Sequence, residues 1–382
     1  MRHHNSVFHG LQKHIPWARF NALVERYGAD RRVRRLSTKS QFLALLYGQL
    51  SGAASLRELE SVLASHQTGL YHVGARAPSR STLADANARR PADLYGDLFA
   101  LMVAQAGAGL RRKMRNAVRI LDATKIKLTG LSDGWARFSD QLTAAKLHVI
   151  YDPDAGLPLS ARTTAVTVND ITPAKQLTCE PGATYIFDLA YYDYAWWAGL
   201  HAAGCRFVTR FKTNTRLEET ARLATAPGSN VLSDRIGLLP RRLAYARKNP
   251  MSDPVREIVV RIKTGKTLRL LTNDLDAPAD EIAELYKTRW QIELFFKWIK
   301  QNLKIKRFLG TSQNAIRIQL YVALIAFVLI RMAHRAQTAI ASPLTLLRLI
   351  RANLMHRKDI DALDKPPRNP KLDHRQIEFC GI

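Results

Sequence analysis

A small set of residues in this chain could together carry phosphoryl-transfer chemistry, and their spacing groups them. One group lies in Tyr286-Lys-Thr-Arg289-Trp-Gln-Ile-Glu293, with Lys300 seven positions further on. At about 100° per residue, Tyr286, Arg289, Glu293 and Lys300 fall within a stripe about 60° wide on one helix face. Trp290, Leu294, Phe295, Phe296, Trp298 and Ile299 fill much of the remaining circumference, which predicts a polar stripe set in a structured surface. The alternative is a solvated face with Arg289–Glu293 and Glu293–Lys297 pairs, worth a few tenths of a kcal/mol each. Two aspartates join this group: Asp122 in VRILDATKI and Asp188 in TYIFDLAYYDY. An aspartate in an apolar strand costs burial energy unless it is paired or binds a cation, although at a strand end it can simply start a turn. With Glu293 these aspartates supply three hard oxygen ligands, few enough to leave Mg²⁺, or Mn²⁺ in its place, open to water and a substrate phosphate. In a two-metal site, with ions about 3.5–4 Å apart, one ion activates an attacking water or 3′-hydroxyl and the other stabilises the leaving oxygen. Arg289 and Lys300 would neutralise the scissile phosphate and its neighbours.

The elements that must hold these residues follow from periodicity. Residues 1–105 read as helical, with Phe20, Leu23, Val24 and Tyr27, then Phe42 to Leu50, then Leu56, Leu59, Val62 and Leu63 at helical spacing. Asp30 to Arg35 (DRRVRR) interrupts them, and Pro78 to Arg90 (PSRSTLADANARR) opens with serine and threonine caps; the latter is either a DNA-reading helix or an ordinary capped surface helix. After the basic run Arg111 to Arg115 the pattern changes to strand period: Val118 to Ile126, Leu147 to Tyr151 and Leu157 to Val168 predict three antiparallel strands. A short strand at Tyr185 to Asp188, an aromatic helix at Tyr191 to Ala203 and a strand at Arg206 to Phe211 come next. The more polar stretch 214–275 ends in a hairpin around Thr264-Gly265-Lys266 and reads as an inserted β-rich subdomain. One long helix is expected from about Pro278 to Leu303, then a buried apolar helix near Leu320 to Met332 and a basic, Pro-rich tail from Lys365 that reads as a disordered end rather than a further DNA contact.

At Tyr286, Arg289, Glu293 and Lys300 the chain resembles the DDE transposases of bacterial insertion sequences, specifically the insertion sequence four family with its Tyr-x2-Arg-x3-Glu-x6-Lys signature. The likeness covers roughly residues 115–310. It implies a mixed α/β fold, a ribonuclease-H-like catalytic core with a β-rich insertion, preceded by an α-helical N-terminal domain. It makes Asp122, Asp188 and Glu293 the catalytic and metal-binding acids, with Mg²⁺ as cofactor. Tyr286, Arg289, Lys300, Lys297, Arg210 and Lys212 are the candidate DNA contacts. The organisation expected is a DNA-binding domain at 1–110, the first part of the core at 111–213, the insertion at 214–275, the catalytic and closing helices at 276–335 and a basic region at 336–382. The implied activity is binding of terminal inverted repeats, Mg²⁺-dependent phosphodiester hydrolysis and joining of 3′-hydroxyl ends to target DNA. The implied partners are double-stranded DNA, at element ends and target, and a second copy of the chain on paired ends. Relatives that excise through a DNA hairpin use an insertion tryptophan to hold a flipped base, yet Trp17, Trp135, Trp196, Trp197, Trp290 and Trp298 all lie outside 214–275, where Tyr245 is the aromatic available. Two rival functions remain: a ribonuclease-H-like nuclease without strand transfer, and a basic DNA- or RNA-binding regulator that lacks catalysis.

Composition sets the outer limits. The chain has 382 residues, a formal net charge of +26 and 47% hydrophobic residues, so it is long enough for two or three modules and too apolar for wholesale disorder. That charge points to nucleic acid or another anionic surface as partner. Cys179, Cys205 and Cys380 form no CxxC pair, which argues against a disulfide framework or zinc ribbon and for a reducing, cytoplasmic and, by the resemblance, nucleoid-associated setting. Met1 to Gly10 lacks the form of a secretory signal, and the apolar stretch Leu320 to Ile330 falls short of the about 20 residues a membrane span needs, so no membrane association is expected. His3, His4 and His9 read as a flexible tail rather than a metal site, Asp152 and Asp154 as a turn, and the Tyr191 to Trp197 cluster as core. Asp133 and Asp140 fall in an expected loop, and Asp193 is set aside in favour of Asp188 at the strand end.

Overall fold

The computed structural model describes residues 6–108, 117–128, 137–139, 142–242, 248–303, 305 and 308–365. The expectations placed on His3, His4, the Arg111 to Arg115 run, Asp133, Asp140, Tyr245 and the end of the tail lie outside the described residues.

Seven helices come first: α1 (Val7–Gln12), α2 (Trp17–Arg26), α3 (Thr38–Ser51), α4 (Leu56–Ser65), α5 (Gln67–His72), α6 (Arg80–Arg89) and α7 (Ala92–Gly107). Serine caps fix several starts. The Ser37, Ser55 and Ser79 hydroxyls accept the backbone N–H of Ser40, Glu58 and Thr82 respectively, three residues on, and Glu58 reaches back to accept the N–H of Ala54, just before its N-cap, at 2.7 Å. α3 ends at Gly52, whose φ of 81° is the left-handed conformation that glycine supplies without strain.

The sheet has ten strands: β1 (Val118–Lys127), β2 (Arg137–Ser139), β3 (Leu142–Asp152), β4 (Leu157–Ala165), β5 (Thr184–Ile186), β6 (Arg206–Arg210), β7 (Glu218–Arg222), β8 (Val231–Leu238), β9 (Val255–Arg261) and β10 (Thr267–Thr272). The three antiparallel strands expected from period-2 alternation are β1, β3 and β4. β5 and β6 then add parallel to β1, giving the core order β4-β3-β1-β5-β6. This is a mixed α/β fold with a ribonuclease-H-like core. Short helix α8 (Ile171–Ala174) and aromatic helix α9 (Tyr194–Ala202) lie in the crossovers.

The stretch 214–275 is β-rich as expected, but its strands extend the core sheet. β10 pairs antiparallel with β6, and β9, β8 and β7 follow outward. The polarity of this stretch conceals a buried ion-pair network. Arg256 and Asp234 meet at 2.6 Å with both side chains buried, while the buried Glu257 carboxylate joins Arg235 and Arg269. Arg269 in turn donates to the Lys212, Thr213 and Thr215 carbonyls, which fixes the loop after β6. Breaking one partner of such a network leaves an uncompensated buried charge, so it locks the extension onto the core.

The single helix expected from Pro278 to Leu303 is two, α10 (Ala279–Thr288) and α11 (Trp290–Asn302), with a one-residue break at Arg289. α10 packs on the extension strands and β6, and α11 packs on β1. After them, α12 (Gln313–Arg335) is the buried apolar helix, longer than the apolar run alone suggests, and α13 (Pro343–Asn353) follows. By length and composition α12 could cross a membrane, but here it is enclosed by α3, α6, α7 and α13. Its apolar side chains form one continuous core with α1 to α7 and one face of the sheet, while α9 and the Phe187, Phe207 and Trp197 rings fill a second core on the other face.

Candidate active site

β1 and β5 run parallel with Ile120 opposite Ile186, so Asp122, midway along β1, and Asp188, just past the end of β5, lie two residues beyond that pair at the same level of neighbouring strands. Alternation puts Asp122 and Thr124 on the same sheet face, the one that α11 covers. Phe295 of α11 packs tilted against Tyr151 at 5.2 Å and edge-on against Phe327 at 5.1 Å, and Ile292, Phe295, Phe296 and Ile299 are buried. The opposite side of α11 is more open than the sequence implies, since Trp290 and Leu294 are exposed. The anchoring turns Arg289, Glu293 and Lys300 toward β1. The Lys300 ammonium donates to the Thr124 hydroxyl, and Arg289 lies 3.7 Å from Asp122 Oδ2 and 2.7 Å from Glu293 Oε1. The Arg289–Glu293 pair of the solvated-face alternative therefore exists, but it is largely enclosed and shared with Asp122.

The electrostatics bring the three carboxylates into one site. Burial pushes the Asp122 carboxyl up to about 6; Asp188 and Glu293 push it the same way, against the Ala123 N–H and the Arg289 guanidinium. Asp188 Oδ1 also accepts the Ala190 N–H at 2.9 Å, which starts the short turn of helix after β5. Among the described residues no three acidic, histidine or cysteine side chains approach as closely as a metal shell requires, and Arg289 bridges two of these three. The donor chemistry suits a divalent cation, because carboxylate oxygens are the hard donors Mg²⁺ prefers and a bound cation would offset the repulsion among them.

Tyr286 and Arg289 each carry a polar atom without a protein partner, the buried phenol oxygen and Nε, in the same corner. Burial raises the Tyr286 phenol, opposed by Arg289 and Arg210 and aided by Asp188, so Arg210 belongs to this corner too. Lys212 sits over the Tyr192 ring at 4.3 Å, and Lys297 is exposed on α11. Asp193 caps α9, accepting the Trp196 N–H at 2.8 Å, and pairs with Lys175. Asp152 accepts the Asp154 and Ala155 N–H groups as a turn residue and pairs with Arg119 at 3.1 Å. Trp196 and Trp197 are core.

Sequence reasoning missed Thr124, which follows Asp122 by the two residues that keep it on the same face, and a buried group behind the aspartates. Tyr191 is buried beside Asp122, Asp170 and Asp188, and its phenol is raised well above its ordinary value by burial first. His148, on β3, meets Thr164 Oγ1 at 2.8 Å, and burial lowers its pKa to about 4 despite Asp170 nearby. The folded chain then binds fewer protons at His148 than the unfolded one between about 4 and 6.5, so stability falls as pH drops through that window. From pH 7 to pH 5 this one group is expected to cost about 2 kcal/mol, and His148→Gln should lose correspondingly less stability over that interval. Urea unfolding at both pH values checks this; parallel losses in the two proteins would remove the assignment.

The family described as the transposase DDE domain matches residues 114–329, which takes in Asp122, Asp188 and Glu293. The chain belongs to the DDE transposase family. The transposase is 39% identical over 316 residues, 80% of its own chain and 87% of the relative, to the putative transposase y4zB of Sinorhizobium fredii. It is 30% identical over 63% of both chains to the probable transposase for insertion sequence element IS5377 of Geobacillus stearothermophilus. It is thus a transposase of insertion-sequence type. Among solved structures it aligns with a piggyBac transposase synaptic complex with hairpin DNA, over 98% of this chain and 84% of that one, at TM-score 0.47 and 11% identity, too distant to bear on its chemistry. Residues 3–76 of the transposase match a domain of unknown function. DDE domains generally use divalent metal ions, in keeping with the acidic residues on β1, just past β5 and on α11.

Proposed function

We propose that this transposase moves its own insertion sequence: it binds the terminal inverted repeats, hydrolyses phosphodiesters there to free 3′-hydroxyls, and joins those hydroxyls to phosphates of target DNA. The observation that carries this reading is Asp122 on β1 and Asp188 just past the end of the adjacent parallel β5, with Glu293 on α11 joined to Asp122 through Arg289. The spacing of Tyr286, Arg289, Glu293 and Lys300 supports membership of the insertion sequence four family.

The three carboxylates would hold Mg²⁺, or Mn²⁺, which when bound lowers the pKa of the attacking water or hydroxyl and stabilises the leaving oxygen. Arg289 places a guanidinium beside the reacting phosphate, and the unpartnered Tyr286 hydroxyl is free to donate to a phosphate oxygen. Lys300, held by Thr124 two residues past Asp122 on β1, adds positive charge on the face that carries Asp122. Lys297, Arg210 and Lys212 are exposed, and on this reading they would meet backbone phosphates of the bound DNA. Pairing two element ends calls for two copies of the chain on DNA, in a bacterial cytoplasm at the nucleoid.

The test is to incubate the chain and Mg²⁺ with a labelled duplex carrying one element end and an unlabelled plasmid. Breaks ending in 3′-hydroxyls, followed by label joined to plasmid, are expected. Breaks that never join would make the chain a nuclease, and binding with no break under Mg²⁺ or Mn²⁺ would make it a regulator.

A further inference from the structure

Two basic segments some fifty residues apart in sequence meet in space and share no residue with the carboxylate site. The loop Arg31–Arg35 and the side of α6 that carries Thr82, Asp85 and Arg89 line one groove, and a second groove on the far side of the loop is walled by Tyr71 and Arg76. All five loop residues are exposed, four of them arginines, and Tyr71 is 81% exposed.

The juxtaposition is built. Arg90, buried at the end of α6, donates to the Leu36 carbonyl and to Gln41 Oε1 at 2.8 Å and lies 3.8 Å from Asp30, so it ties both ends of the loop to α6. Asp30 accepts the Thr38 N–H and hydroxyl at 2.7 Å, and the Arg80 N–H at the start of α6 donates to Glu60 at 2.8 Å. Within the loop Arg32 has a φ of 60°, a conformation that side chains other than glycine adopt rarely. The acidic neighbours Asp30 and Glu60 are thus committed to the scaffold, Asp85 on α6 pairs with Arg89 at 3.2 Å, and the four loop arginines are left facing solvent.

We propose that the Arg31–Arg35 loop and the outer face of α6 form a docking surface for duplex DNA, the loop clamping backbone phosphates while α6 lies against a groove. This assigns a role to the residues that match a domain of unknown function, and which duplex is bound, the terminal repeat, rests on the reading given above. Three features select a duplex. Every basic residue of the loop is arginine, whose planar fork matches a phosphate in two bonds where lysine offers a point charge. The exposed stripe of α6, Ser81, Ala84, Asp85 and Ala88, carries short side chains, so the helix axis can approach a groove closely. Ten residues of helix span about 15 Å, on the scale of a major groove about 12 Å wide. A lipid surface would instead require apolar side chains to insert, and Val33 stands alone in the loop.

The experiment uses the full chain without divalent metal, so that it reads binding and is independent of cleavage. Fluorescence anisotropy is measured on a duplex of the element's terminal sequence and on a scrambled duplex across a salt series. Replacing Arg31, Arg32, Arg34 and Arg35 together by Gln should lower the slope of log affinity against log salt by about three to four on both duplexes, since each phosphate contact contributes about 0.9. The same four positions as Lys should keep the slope. Ala84→Leu with Ala88→Leu should weaken binding at least about tenfold with the slope retained, and Lys263→Gln with Lys266→Gln, on the distant β9–β10 hairpin, should change neither. Thermal melts of all variants matching the parent exclude misfolding. An unchanged slope in the Gln variant, or an equal loss in the hairpin control, overturns the surface. A lost slope together with equal parent affinity for the two duplexes supports the surface and overturns the terminal-repeat reading instead.

Discussion

Glu293→Gln is expected to abolish strand cleavage, by at least about a thousandfold, or about 4 kcal/mol of transition-state stabilisation, with affinity for the element end retained. The substitution keeps shape and hydrogen-bonding reach and removes the charge, so α11 should still pack through Ile292, Phe295 and Ile299, which lie on the other side of the helix. Two things are lost together. The cluster forfeits one of three anionic donors for a hard cation, and Arg289 loses the closer of its two carboxylate partners, at 2.7 Å. Glu293→Asp is the sharper companion. It keeps the charge but withdraws it by one methylene, and displacement on that scale is expected to cost about a hundredfold. Asp122→Asn should match Glu293→Gln, because both reach the same Arg289 and face the same phosphate position. The measurement is single-turnover cleavage of labelled ends at saturating protein, read beside anisotropy on the same duplex. Cleavage of Glu293→Gln within tenfold of the parent would remove Glu293 from the site and, with it, the proposed chemistry.

How far the sequence discloses this site depends on whether each feature is local. Strand alternation around Asp122 and the helical stripe through Tyr286, Arg289, Glu293 and Lys300 are local patterns, and both elements form where those patterns put them. The break at Arg289 leaves no such mark, since Thr-Arg-Trp contains neither glycine nor proline. It arises because α10 and α11 rest on different parts of the sheet. Of the strands of 214–275 only the closing hairpin, β9 and β10, is legible in the sequence, β7 and β8 are not, and the β6–β10 pairing that makes them an extension of the core joins residues about sixty apart and depends on nonlocal contacts. Asp234, Arg256 and Glu257 illustrate the same limit from the side of burial. Charged residues in a polar stretch read as surface, and only their mutual pairing lets them lie at or below 4% exposure of the side chain. In the N-terminal part, DRRVRR and the Ser79-capped helix were each visible, but their shared groove follows from Arg90, whose burial no pattern announces.

Arg289 is where the static arrangement and the proposed reaction are most tightly linked, and Arg289→Ala is expected to lower the cleavage rate by about a hundred- to a thousandfold, as the removal of one preorganised donor does elsewhere. Its side chain is 18% exposed, its guanidinium lies near the Tyr286 ring at 5.8 Å, and its Nε has no protein partner. An arginine that served only to neutralise Asp122 and Glu293 would have no reason to keep a buried donor unsatisfied, because an orphaned N–H costs about 1–3 kcal/mol. A phosphate oxygen at that corner would satisfy both Arg289 Nε and the Tyr286 hydroxyl at once. The kinetic signature separates the two roles. If Arg289 meets charge that develops on the reacting phosphate, the loss persists at saturating DNA, whereas a contact made equally before and during reaction would appear in the affinity and vanish from the saturated rate. Arg289→Lys keeps the charge but not the fork, so it should recover part of the rate and little of the geometry. Arg289→Ala also leaves Asp122, Asp188 and Glu293 without the cation that offsets their repulsion, which raises the Asp122 carboxyl further and makes the variant more acid-sensitive in cleavage than the parent. Saturating-DNA rates of parent, Arg289→Lys and Arg289→Ala across pH 6 to 8 decide it: a deficit confined to subsaturating DNA would reduce Arg289 to a binding contact.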